Sequence, residues 1–141
     1  MTEEFRFLEH GADGASVEVG PFRVEAREVV HPVTAYALRV TAGDRTLVYS
    51  GDTGPCPALD ELAGGADLLL AEASFRSGDD NPPDLHLTGA DCGRTASVAG
   101  VGRLVLTHVP PWHDAADAEA EARAEWTGPV DVARAGLTYE L

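Results

Sequence analysis

Four side chains able to bind a metal ion or move a proton, His31, Asp52, His86 and His108, stand at or beside the ends of short apolar runs. Asp52 closes RTLVYSGDT, His108 closes RLVLTHVPP, and His31 lies between FRVEAREVV and the strand-like AYALRV. His86 opens HLT, just before a helix cap. Imidazole and carboxylate groups delivered from several strand ends to one edge of a sheet are how a protein builds a metal-dependent hydrolase site. Glu72 ends the run DLLLAEA. A carboxylate at the end of a buried strand needs a partner, and a histidine is a natural one. Taken singly, each residue has a plainer explanation: a turn or cap aspartate at 52, a backbone-held histidine at 108, loop histidines at 31 and 86. Neither H-x-H nor H-E-x-x-H occurs in the 141 residues, so the set falls short of a full site.

The elements that must position these residues are short. Strands are expected at Ser16–Val19, Phe22–Val30, Ala35–Thr41, Thr46–Ser50, Asp67–Ala71, Arg103–Thr107 and Val130–Ala133, rich in Val and Leu and bounded by Gly, Pro or Asp. Gly43-Asp44 carries a hairpin signal. Leu68, Leu69 and Leu70 run without alternation, as in a strand covered on both faces. Helices are expected from Pro57 to Ala63, with proline in the first turn, from Thr88 with a T-x-x-D capping box closed by Asp91, and from Ala115 to Trp126 behind Asp114 as N-cap. Glu119 and Arg123 make an i,i+4 pair on the last helix, whose acidic residues read as a solvated face. The polar loop SGDDNPPDL, 77–85, is expected to be mobile and close to the site. A β-rich first third followed by alternating strands and helices predicts one α/β domain over residues 1–141, a mixed sheet with helices on one face.

The formal charge of −14 argues against a large nucleic-acid partner, whose grip needs a basic surface, and is compatible with divalent cations. All ten basic residues are arginine. No apolar run approaches the ~18 residues of a membrane span. MTEEFRFLEH has neither the basic nor the apolar region of a secretory signal. Cys56 and Cys92 form no CxxC pair and read as free, partly buried thiols, in keeping with a cytoplasmic location.

As an ordered set, HPVTAYALRV…RTLVYSGDTG, DLLLAEASF and HLTGADCGRTASVAGVGRLVLTHVPP resemble the metallo-β-lactamase superfamily, in its phosphodiesterase and ribonuclease Z branch. The spacings of 21, 34 and 22 residues between His31, Asp52, His86 and His108 suit its compact members. DLLLAEASF is similar to the family's H-E-A-T-type strand, with Ala71 where a histidine often stands and Glu72 kept. The resemblance covers roughly Phe22 to Leu141. It implies metal ligation by His31, Asp52 and His108, with Asp52 bridging two ions. It implies that His86, supported by Glu72, protonates the leaving group. It also implies a four-layered αβ/βα sandwich, of which this chain is the C-terminal half. The family's H-x-H-x-D-H ligands are absent, and the lone His10 cannot replace them.

The expected function is therefore that of a metal-dependent phosphodiesterase acting on a small cyclic nucleotide or similar phosphodiester. Two divalent ions, zinc or manganese, belong to the intact enzyme, and none or one to this chain. Two alternatives remain open: a non-catalytic module that pairs with itself or with a separate N-terminal half, and a lactonase or thioesterase of the same fold. Val24, Ala37, Leu47, Leu69 and Val105, or their immediate neighbours, are expected on or near a large apolar face that drives homodimerisation or pairing with the complementary half. His113 is expected at the surface.

Overall fold

The structure, a computed structural model, describes residues 14–141; His10 lies outside the described residues. Its elements are β1 (Ser16–Val19), β2 (Phe22–Val29), β3 (Ala35–Ala42), β4 (Arg45–Tyr49), α1 (Pro57–Ala63), β5 (Leu68–Glu72), α2 (Gly89–Ala99), β6 (Leu104–Thr107), α3 (Ala115–Glu125) and β7 (Val130–Val132). Each expected strand and helix is present, with ends moved by a residue or two. The seven strands pair in chain order. β1 to β4 are antiparallel, joined by tight connections, and β4 to β7 are parallel. Parallel neighbours need a crossover, which here contains α1, α2 or α3.

Register separates the two faces. Glu25, Arg39, Val48, Leu69, Leu104 and Val130 form one row across the sheet. Its apolar members pack with Leu59, Leu62, Cys92, Ala96, Ala118 and Ala122 of the helices. Arg39 reaches the end of α1, where its guanidinium donates to Leu62 O at 2.7 Å and Gly64 O at 3.0 Å. Those carbonyls have no partner inside the helix, so an arginine there replaces water. The neighbouring row carries Leu38, Tyr49, Leu70 and Val105, flanked by Val24, Val40 and Leu47. It lies on the face away from the helix-packed core. Val24, Leu47 and Val105 lie on this face, with Leu38 and Leu70 as the neighbours of Ala37 and Leu69, which themselves belong to the helix-packed core; Val105 is fully buried. Unbroken apolar strands such as LLL carry no alternation that distinguishes the faces.

α2 and α3 meet through backbone. A Cβ on Gly93 would stand 2.5 Å from Ala122 O. The capping box at Thr88 and Asp91 and the N-cap at Asp114 are formed as expected. The acidic residues of α3 face solvent, and two of them also make exposed contacts: Asp117 pairs with Arg76 at 3.0 Å, and Glu121 accepts from Ser77 N at 3.0 Å and Ser77 Oγ at 2.9 Å. These bonds tie the base of the 77–85 loop to the helix. No helix among the described residues is long and apolar enough to cross a membrane.

Replacing Gly93 with alanine should force α2 and α3 apart and lower unfolding free energy by about 1–3 kcal/mol. Urea denaturation followed by circular dichroism measures it, and an unchanged midpoint would show that the two helices do not pack this closely.

Candidate metal and proton-transfer site

Glu72 ends β5 with no exposure to solvent. Its Oε1 accepts from Thr53 N at 3.1 Å and lies 2.7 Å from His86 Nδ1, and its Oε2 accepts from Ser74 N at 3.1 Å. Two of these partners are backbone amides, which can only donate, so the carboxylate acts as acceptor and the His86 Nδ1–H donates to it. That fixes the tautomer and leaves Nε2 as the reactive nitrogen of His86. The backbone of Glu72 is held as firmly: its N–H donates to Ser50 Oγ at 3.0 Å, and its carbonyl accepts from Cys92 Sγ at 3.1 Å.

The turn after β4 aligns the next group. Gly51 adopts φ +62°, and a side chain there would strike Tyr36 O at 2.5 Å, so only glycine lets the chain pass. Gly54 N donates to Val30 O at 2.8 Å, and the Thr53 hydroxyl stands 3.2 Å from the same carbonyl. The residues before His31 and those after Asp52 are thereby laced together. His108 follows β6 with φ 57°, a left-handed conformation unusual for a non-glycine residue. Its carbonyl accepts from Ser74 Oγ at 2.9 Å, and its Nδ1 lies 3.3 Å from Asp52 Oδ1.

All five candidate residues therefore meet at one end of the sheet. Ligand atoms of His31, Asp52 and His86 lie within 4.8 Å of one another, as do those of Glu72, His86 and His108. The His86 ring neighbours both other histidines, with centroids 5.8 Å from His31 and 5.5 Å from His108. His86, expected only as a proton donor, thus also stands within ligand distance of His31 and Asp52. Glu72 has both oxygens occupied by donors, so its group is a hydrogen-bonded support, and the first group is the open one. His31 Nδ1 is buried with no hydrogen-bond partner. A half-buried imidazole with an orphaned nitrogen, close to a carboxylate and a second imidazole, belongs to a donor set that fits a divalent metal ion. Thr53, Ser50 and Ser74 escaped the sequence reading. Their one signal is small hydroxyl residues directly flanking strand-end acids. His113, expected at the surface, is half-buried and lines a cavity of about 660 Å³ whose walls include His86 and His108.

This fold is shared with metallo-β-lactamase fold proteins, and histidines and carboxylates gather at its strand ends. The chain belongs to the beta-lactamase superfamily domain family, whose model matches residues 2–109. It is 46% identical over 135 residues to the uncharacterized protein ML1173 of Mycobacterium leprae, covering 95% of this chain and 48% of that one. It is 35% identical over 121 residues to the probable metallo-hydrolase YhfI of Bacillus subtilis, covering 86% and 50%. The crystal structure of YhfI superimposes with a TM-score of 0.87 at 32% identity, over 92% of this chain and 54% of that one. Ribonuclease Z of Myxococcus xanthus is 46% identical over 102 residues, covering 69% and 33%, in line with the ribonuclease Z-like branch. The chain spans about half the length of the first two of these relatives.

Burial, with the Glu72 and Asp91 charges adding to it, pushes the Cys92 thiol well above its ordinary value of 9.0. Above that ordinary value the unfolded chain has released the thiol proton and the folded chain has not. Stability should therefore fall as pH rises from about 9 toward the folded value. Urea midpoints measured from pH 8 to 11 should decline less steeply in Cys92→Ala than in wild type. Equal slopes would show that Cys92 is not sealed behind Glu72.

Proposed function

We propose that this chain contributes the proton-transfer half and part of the metal site of a phosphodiesterase acting on a small cyclic nucleotide or similar phosphodiester, in the cytoplasm. The observation that carries this reading is the buried Glu72–His86 pair set beside the open group of His31, Asp52 and His86. His31 and Asp52 would hold a divalent ion with His108, whose Nδ1 already lies 3.3 Å from Asp52. The bound ion supplies charge stabilisation at phosphate oxygens and an activated water. The chain's own residues do the rest. Glu72 holds His86 in one tautomer, and a proton carried at His86 Nε2 would pass to the departing alkoxide. Asp52, with two oxygens, is the residue suited to span a pair of ions. An alkoxide leaving group needs such an acid and a thiolate does not, which disfavours a thioester. The resemblance of the HLT segment and the Glu72 strand to the phosphodiesterase branch favours a phosphodiester over a lactone.

A second reading, assembly, is favoured by one observation: the sheet face bearing Leu38, Leu47, Leu70 and the exposed Tyr49 lies away from the helix-packed core. A second copy or the complementary half of the sandwich would cover it, over more than roughly 1,000 Å² in total. Light scattering behind size exclusion should give a dimer, and a stable monomer at micromolar concentration would remove this reading.

The catalytic reading is tested with bis(p-nitrophenyl) phosphate, a cyclic nucleotide, p-nitrophenyl acetate and a lactone, in zinc or manganese. The chain by itself should hold no more than one ion after dialysis and turn over slowly, with the phosphodiesters preferred. Two tightly held ions and robust turnover would show that the site is already complete. In the intact enzyme Glu72→Gln should lower turnover about 100-fold while sparing metal content, and Asp52→Asn should lower metal content itself. A Glu72→Gln enzyme at the wild-type rate would remove His86 from the acid role.

A further inference from the structure

The cavity of about 660 Å³ beside His86 and His108 has an unlike lining, apolar at Phe75, Pro110, Pro111 and Trp112 and acidic at Asp79 and Asp80. Phe75 meets the His86 ring edge-on at 5.0 Å, so the apolar lining begins at the proton-transfer pair. Trp112 stands at 78% exposure, a large ring left to solvent at the side of a cavity. Asp79 and Asp80 come from the loop that follows Phe75. Their loop is pinned rather than loose: Asn81 Nδ2 donates to Arg76 O at 2.8 Å, while Arg76 and Ser77 are tied to Asp117 and Glu121 of α3.

We propose that this cavity is the base subsite of a nucleotide substrate, with Trp112 as its stacking face and Asp79 and Asp80 as acceptors for base or ribose hydrogens. The inference rests on the phosphodiester reading above and names the non-reacting end of that substrate. Charge decides against the other classes of occupant. Two carboxylates facing the cavity repel a second phosphate, so a polynucleotide or diphosphate tail is disfavoured. A neutral planar group with N–H or O–H donors suits a lining that holds both apolar rings and carboxylates, and a nucleoside is such a group. The volume lies within the range of small-molecule sites and exceeds what a phosphate needs. Stacking on an aromatic ring is available to any base, and the carboxylates add a preference for one with an exocyclic amine.

Adenosine, which has no phosphate, isolates this subsite from the chemistry. Saturation-transfer NMR on the purified protein should place the strongest contact on the base protons, and ribose alone should show none. Tryptophan fluorescence should be quenched on titration. Trp112→Ala should weaken adenosine at least about tenfold and Trp112→Phe should largely retain it. Because Trp112 is exposed, neither change threatens the fold. Asp79→Asn with Asp80→Asn should narrow the preference for adenosine over uridine. Adenosine binding by an intact enzyme that turns over no phosphodiester would keep the subsite and remove the phosphodiesterase reading. Turnover of bis(p-nitrophenyl) phosphate without adenosine binding would overturn the subsite alone. A Trp112→Ala variant that binds adenosine as before but changes mass by light scattering would assign the ring to a protein contact and overturn it too.

Discussion

A carboxylate with no access to water must be given donors by the protein, and Glu72 is that carboxylate here. Leaving such a group unpaired costs more than most single contacts return. Its donors come from three places in the chain: Thr53 after β4, Ser74 beyond β5, and His86 before α2. Satisfying one side chain therefore fixes three segments against each other, and those segments bear Asp52, His86 and, through Ser74, His108. The site follows from this requirement. Surface ion pairs such as Arg123 with Glu119 contribute little by comparison, since water screens them and flexible side chains must be ordered to form them.

The left-handed backbone at His108 fits the same logic. A non-glycine residue in that region is strained and persists only where its surroundings over-determine it. Ser74 Oγ on its carbonyl and Asp52 near its ring supply two such restraints. Ser74 thus serves both ends of the cluster, with its amide on Glu72 and its hydroxyl on His108. Strain concentrated at a strand end, amid a buried polar network, marks a place where geometry is kept for chemistry.

Much of this was legible in the residues. Strand-end acids and histidines announced themselves because turn residues punctuate the apolar runs, and the helix caps at Thr88 and Asp114 are local signals that need no tertiary knowledge. Three things were not legible. The face chosen by Ala37 and Leu69 depends on pairing register, which an unbroken apolar run does not encode. The place of His86 among both the ligand cluster and the proton pair depends on ring positions that spacing leaves open. The duty of Asp117 and Glu121 as loop anchors depends on a neighbour forty or more residues away, Ser77 or Arg76, so a helix read alone shows only a charged surface.

The sheet's strand order, identical to the order in the chain, has a consequence for biosynthesis. Each strand can pair with its predecessor as it leaves the ribosome, so loop closure is paid for in small local steps rather than one long one. Maturation of the cluster is then vectorial: His31 arrives with the antiparallel ribbon, Asp52 with its last strand, Glu72 and His86 around the first parallel step, and His108 only once β6 has joined. A nascent chain paused before β6 would already display an imidazole–carboxylate trio to cellular cations, yet would lack the histidine that neighbours its aspartate. Emergence of β6 is the event that brings His108 to Asp52 and completes the cluster.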